Sequence, residues 1–192
     1  MILYHGTNNG EIDTLIPMQA DHDRPYIYLT ENEVVASFYI INCVERPFYW
    51  FPYGFTKDHI PEYDELYPNA LQEACEGKKG FVYSVDINQE TLLPFKNIPG
   101  AWLSTVPLQV INKKEISHPY SWFLECEKAS RLVISRYEDK SERELLRWNT
   151  LILEYISEKK MIETPGCSYA KFVREKFPQV WKNYEDLESG RW

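Results

Sequence analysis

The chain has 192 residues, enough for one domain or one domain with an appended helical piece, and 15% of them are aromatic. Its formal charge of -8 is concentrated in residues 1–100, where 6 Lys/Arg stand against 15 Asp/Glu for a net of -9; residues 101–192 carry 15 against 14, a net of +1. An acidic N-terminal half excludes nucleic acid as the expected partner, and no stretch approaches the roughly 20 apolar residues of a membrane span.

Residues 2–7 form a compact apolar run, Ile2-Leu3-Tyr4-His5-Gly6-Thr7, and read as a strand. Ile12, Leu15 and Ile16 fall on one face of a short helical turn before Pro17. Residues 18–25 are polar and read as a loop at the rim of a site. Tyr26-Ile27-Tyr28-Leu29-Thr30 alternates as a strand. The period then changes, and Thr30 with Glu33 fits a capping box ahead of Val34, Val35 and Phe38, so a helix is expected over 31–44.

Residues 46–67 combine several prolines with many aromatics, which argues against regular structure. The stretch reads as an aromatic-rich insertion that covers a pocket or packs its own surface cluster. Pro68 opens a helix to about residue 76, ended by Gly77. Residues 80–87 read as a strand, 101–105 and 108–111 as two short strands or one strand bent at Pro107. From residue 119 the period is helical. Ser141 and Glu144 make a second capping box, followed by Leu145, Trp148, Ile152, Tyr155 and Ile156 on one face. Ser168 is placed to cap a further helix, and Pro178 restarts the chain toward Val180, Trp181 and Tyr184. The expected division is therefore a core over 1–118 and a helical extension over 119–192 packed on it.

Cys43, Cys75, Cys126 and Cys167 are widely spaced with no Cys-x-x-Cys, so they are expected to be reduced thiols in the cytoplasm. Met1-Ile2-Leu3-Tyr4 lacks the basic and long apolar regions of a signal peptide. His5, His22, His59 and His118 show no metal-ligand spacing, and no metal is expected. Phosphate-loop, Gly-x-Gly-x-x-Gly and Gly-x-Ser-x-Gly motifs are absent.

His5-Gly6-Thr7, Tyr28, and Tyr39 eleven residues later resemble the N-terminal half of the diphtheria toxin-type ADP-ribosyltransferases, which include the poly(ADP-ribose) polymerases. The match covers about the first 45 residues well and extends loosely to about residue 112. The resemblance implies an α+β fold: a small split, mostly antiparallel β core of that type with a C-terminal helical segment. It implies NAD as substrate, with loss of nicotinamide and transfer of ADP-ribose to an unidentified acceptor or protein partner. It implies that His5 bonds the adenine-side ribose. Gly6 with Thr7 would hold the carboxamide, and Tyr28 and Tyr39 would sandwich the nicotinamide. The family's third element is a Glu at the start of a later strand, which stabilises the oxocarbenium-like transition state. Here Gln109 takes that place if the strand is 107–112, with Glu115 the nearest acid and Thr105 a further candidate under another register. Arg24 and Arg46, or backbone N–H groups, would offset the acidic surroundings of an anionic dinucleotide. The alternatives are a non-catalytic module of the same fold that binds a nucleotide or a protein, and an RNA 2′-phosphotransferase-like activity, against which the acidic half speaks.

Overall fold

The computed structural model describes residues 1–19, 23–41, 53–95 and 98–190. In chain order the strands are β1 (Ile2–Thr7), β2 (Thr14–Leu15), β3 (Ile27–Thr30), β4 (Tyr53–Phe55), β5 (Pro61–Asp64), β6 (Gly80–Asp86), β7 (Leu93–Pro94), β8 (Ala101–Ser104), β9 (Leu108–Gln109), β10 (Asn112–Ile116) and β11 (Val133–Ser135). The helices are α1 (Glu33–Ile41), α2 (Ala70–Cys75), α3 (Pro119–Lys128), α4 (Glu142–Glu158), α5 (Ser168–Lys176) and α6 (Pro178–Glu188). The fold is α+β, with a largely antiparallel sheet and helices at the C-terminus. Among the described residues no helix is long and apolar enough to cross a membrane.

The chain divides into two compact units. The first comprises Met1–Asn42, Phe55–Pro61 and Cys75–Val133; the second comprises Cys43–Gly54, Glu62–Ala74 and Ile134–Trp192. The helix at residue 119, expected to open a C-terminal extension, belongs to the first unit as α3.

A six-stranded sheet in the order β10-β6-β1-β3-β8-β7 forms the first unit. Alternation along β1, β3 and β6 sends Leu3, Ile27, Leu29 and Val85 to one face, where they form a core with Leu15 of β2 and Leu108 of β9. The opposite face carries α1. Val34, Val35, Phe38 and Ile41 are buried there, and Phe38 lies 5.3 Å from the Phe123 ring of α3. Burying side chains of this size contributes roughly 1.5–3 kcal/mol each, which fixes the helix on the sheet.

The sheet is continuous on either side of one seam. β1 and β6 share six Cα partner pairs, and β3 and β8 share four, from Ile27↔Ser104 to Thr30↔Ala101. Between β1 and β3 the register is a single pair, Tyr4↔Thr30. The two halves therefore diverge beyond that pair and leave backbone polar groups that need other partners.

The second unit holds α4, α5, α6, most of α2 and most of a three-stranded sheet, order β11-β5-β4. Tyr67, Phe172 and Phe177 meet edge to face with centroids 6.0–6.1 Å apart. Lys140, its side chain 3% exposed, donates to Asp64 Oδ1 at 2.8 Å and to the Ser135 hydroxyl. A buried ammonium needs such a partner. The Ser141–Glu144 capping box forms with both reciprocal bonds and starts α4, which buries Ile152 and Ile156.

Several local expectations are corrected. The turn before Pro17 is extended as β2, paired with β9, because Leu15 enters the sheet core. α1 starts later than expected. Asn32 Oδ1 accepts from Val34 N at 2.9 Å and Val35 N at 3.4 Å, whereas the Thr30 hydroxyl accepts from Asn32 N. Thr30 and Glu33 thus form no capping box. Cys167, not Ser168, caps α5 through its sulfur. The proline- and aromatic-rich stretch supplies β4 and β5; its residues 46–52 lie outside the described residues, as do His22 and Cys43.

Candidate functional site

A pocket of about 80 Å³ opens at the seam between β1 and β3. On the measure by which one water needs 10–15 Å³, that is room for roughly half a dozen waters, the scale of one flat ring with a small substituent. β1 contributes Tyr4, His5 and Gly6; β3 contributes Tyr28, Leu29 and Thr30. Val35, Ala36 and Tyr39 come from one face of α1, at the three- and four-residue spacing that aligns side chains on a helix. Phe95, Ile98, Ala101 and Trp102 close the far side. His5, Tyr28 and Tyr39, singled out in the sequence, thus meet in one cavity. Tyr28 stands edge-on to Phe95 at 6.2 Å, and Tyr39 is 36% exposed.

His5 fills the place where the β1–β3 ladder fails. Its Nδ1 lies 2.9 Å from the Tyr28 carbonyl oxygen. A carbonyl only accepts, so Nδ1 carries the proton. In the neutral ring Nε2 is then an acceptor, suited to a ligand hydroxyl. Burial pushes the imidazole pKa below its ordinary 6.5, with the Tyr28 bond opposing. The neutral tautomer is therefore the working form near pH 7.

Gly6 has a structural reason that the sequence did not reveal. A Cβ there would stand 1.8 Å from the Ala36 carbonyl oxygen. The residue lets the α1 backbone lie against β1, and that approach carries Tyr39 to the pocket. Thr7, expected beside it, accepts from Asn9 N at 3.3 Å and is not among the lining residues.

The third-motif residues lie elsewhere. Gln109 is on β9, outside the six-stranded sheet; its Nε2 donates to the Asp13 carbonyl at 2.9 Å and its Oε1 accepts from Thr14 at 3.2 Å. Glu115 is on the edge strand β10, opposite Phe81, and accepts from Ser117 at 3.0 Å. Neither lines the pocket, and neither does Thr105. The cause is the break after β8. The Ser104 hydroxyl bonds both the N–H and the carbonyl of Val106, and Pro107 has no N–H for a ladder. The chain leaves the sheet there, pairs with β2, and returns as β10 on the other edge.

No Asp or Glu lines the pocket among the described residues. The acid bonded to its wall is Glu31, which sequence reasoning missed: Trp102 Nε1 donates to Glu31 Oε1 at 2.8 Å. Its signal was weak, a lone acid in the turn after Thr30. Glu33 is committed to Lys114 at 2.9 Å and Arg131 at 2.8 Å. Burial raises its pKa, but those two bonds outweigh it and hold the carboxyl below its ordinary value. Lys114 also lies 3.7 Å from the Trp122 ring centroid. Arg24 bonds the Tyr26 hydroxyl at 2.9 Å and does not line the pocket; Arg46 lies outside the described residues. Among the described residues no cluster of three His, Cys, Asp or Glu could hold a metal ion. Cys75 and Cys126 are buried free thiols, which burial pushes up to about 12 and about 11.

Comparison of the chain with protein-family models, with curated proteins and with solved structures finds no match.

Proposed function

We propose that the pocket at the β1–β3 seam takes the nicotinamide end of NAD, and that the protein is an ADP-ribosyltransferase-like NAD-binding protein. One observation carries the reading: His5, Tyr28 and Tyr39, from three different elements, line the same small cavity. Aromatic rings offer a flat heteroaromatic ligand stacking surface. His5 Nε2 offers an acceptor to a ribose hydroxyl, at a place where His5 already replaces backbone pairing. The rest of the dinucleotide extends beyond this cavity.

The acceptor of ADP-ribose stays open, and cleavage is proposed to be slow. Stabilising a developing oxocarbenium needs a carboxylate aimed at it, and groups of this kind supply about 3–4 kcal/mol in well-studied sites. The absence of an acid among the described lining residues favours the second reading, a non-catalytic module of the same fold that binds the nucleotide.

Titration calorimetry with NAD and with nicotinamide, together with a nicotinamide-release assay, tests the proposal. Binding of both ligands, weakened about tenfold or more in Tyr39→Ala, is the expected result. Release at a few turnovers per hour or more assigns catalysis, and binding without release assigns the module. A wild-type protein that binds neither ligand overturns the proposal.

A further inference from the structure

α1 presents two different faces. Val35, Ala36 and Tyr39 line the seam pocket. Glu33 and Ser37 stand one turn apart on nearly the opposite side of the helix from Tyr39, at about 100° per residue. They are held from outside by β10, α3 and the turn after α3. Glu33 Oε1 accepts from Lys114 of β10 at 2.9 Å, and its Oε2 accepts from Arg131, just past α3, at 2.8 Å. The Trp122 indole of α3 donates to the Ser37 hydroxyl at 3.0 Å, and that hydroxyl donates to the Glu33 carbonyl at 2.8 Å. The Trp122 ring lies beside both cations, its centroid 3.7 Å from the Lys114 ammonium and 5.4 Å from the Arg131 guanidinium. Ser37 is 1% exposed and the Glu33 side chain 20% exposed, so these bonds are partly shielded from water.

We infer that this clamp of Lys114, Trp122 and Arg131 on Glu33 and Ser37 is the positioning device of the seam pocket: it sets the rotation of α1 and thereby the place where the Tyr39 ring meets the ligand. This rests on the nicotinamide reading and adds to it a set of positioning residues that line no part of the pocket. The apolar face of α1 does not suffice for the task. Burial of Val34 and Phe38 holds the helix on the sheet, but hydrophobic contact is non-directional. Charge-assisted hydrogen bonds fix both distance and direction. At Gly6 the helix already lies so close to β1 that a Cβ would stand 1.8 Å from the Ala36 carbonyl oxygen. Closer approach is blocked there, and rotation or sliding is the freedom that the clamp removes. A side chain reaching about 6 Å from the axis moves about 1 Å when the helix turns by about 10°. Stacking depends on ring offset at that scale.

The test is an NMR titration with nicotinamide, which reads weak binding. It compares wild type, Glu33→Gln, Lys114→Met, Lys114→Arg, Tyr39→Ala and the Glu33→Gln/Tyr39→Ala double variant, each well below its melting temperature. Glu33→Gln and Lys114→Met are expected to weaken binding about three- to tenfold. Lys114→Arg keeps a charged donor for Glu33 and should stay within about twofold of wild type. The double variant decides the mechanism. A clamp that acts by placing Tyr39 has little left to place once that residue is alanine, so Glu33→Gln should then cost less than about twofold. The same loss in both backgrounds, as a general softening of the fold would give, overturns the inference. So does wild-type affinity in a folded Glu33→Gln protein. Either result leaves the nicotinamide reading standing. Should Glu33→Gln fail to fold, the same cycle with Lys114→Met takes its place and is judged by the same outcomes. A wild-type protein that does not bind nicotinamide sinks both together.

Discussion

Two concavities in the first unit differ in what their polar groups are doing. The seam pocket is small and aromatic, and its key polar group, His5, has Nδ1 bonded to the Tyr28 carbonyl, which in the proposed reading leaves Nε2 for a ligand. The second concavity is lined by Gly10, Glu11, Asp13, Gln109, Asn112 and Lys113 among others and is wider, about 480 Å³. Its polar groups largely serve the fold. Gln109 ties β9 to the Asp13–Thr14 segment at both ends of its amide, and Lys113 donates to the Gly10 carbonyl at 3.0 Å and lies over the Phe81 ring. Volume alone would favour the second. Apolar walls with a few convergent polar groups favour the first.

The largest expected effect strikes the frame of the seam pocket. Gly6→Ala places a methyl group 1.8 Å from the Ala36 carbonyl oxygen, in backbone that cannot swing aside like a side chain. Overpacking of a core typically costs about 1–3 kcal/mol, and a collision with helix backbone belongs at or above the top of that range. Thermal melts should show a drop of several degrees or failure to fold. Gly54→Ala, with nothing within 4 Å of the added carbon among the described residues, should change little. If Gly6→Ala melts like wild type, α1 does not lie where it is described, and the route by which Tyr39 reaches the pocket is lost.

The next effect separates the two concavities directly. Tyr39 lines the pocket and is 36% exposed. Base–aromatic stacking is worth about 1–3 kcal/mol by alanine substitution, so Tyr39→Ala should weaken NAD or nicotinamide binding by about tenfold or more. Calorimetry with matched melting temperatures checks this. Unchanged affinity in a folded Tyr39→Ala protein would remove the stacking model.

The same comparison shows what the sequence carried. His5, Tyr28 and Tyr39 were legible because each sits in a regular element whose period announces it, and short-range geometry fixes where such residues point. Strand 80–86 and the Ser141 cap were legible for the same reason. Gln109 was misplaced because its position depends on pairing across 95 residues with Thr14, which no local pattern encodes. β2 was read as helical for the same cause: two residues show no period, and the burial of Leu15 decides their state. Glu31 went unnoticed because its partner, Trp102, stands 71 positions away. Gly6 was noticed for the approach of a ligand, and the α1 backbone demands the same missing Cβ.

A smaller effect follows from His5 and pH. Its folded pKa lies below 6.5. Between 6.5 and that lower value the unfolded chain binds a proton that the folded chain does not. Stability is thus fully present above 6.5 and declines as pH falls toward the folded pKa. Binding responds later. Nε2 stops accepting only when the folded imidazole protonates, so affinity should hold through the onset of the stability loss and fall below it. Melting curves and titrations from pH 7.5 to 5 check the order, and His5→Gln should flatten both profiles. Affinity that declines first, above pH 6.5, would mean that another group titrates in the site.

The smallest expected effect is the most discriminating for the second concavity. Were Gln109 the site's third element, Gln109→Glu would restore a carboxylate and raise nicotinamide release by a large factor, since such charges are worth roughly 10²–10³ in rate. Gln109 instead bonds Asp13 and Thr14 on the β2–β9 ribbon, and Glu115 bonds Ser117 on the far edge strand. Gln109→Glu removes the amide donor that holds the Asp13 carbonyl, so a loss of about 0.5–1.5 kcal/mol in stability is expected. Release rate and NAD affinity should stay within twofold of wild type. Glu115→Gln keeps an acceptor for the Ser117 hydroxyl and should change neither stability nor binding. A rise in release in Gln109→Glu, or its abolition in Glu115→Gln, would move the chemistry to residues that do not line the seam pocket, and the contrast between the two concavities would fail at its most specific point.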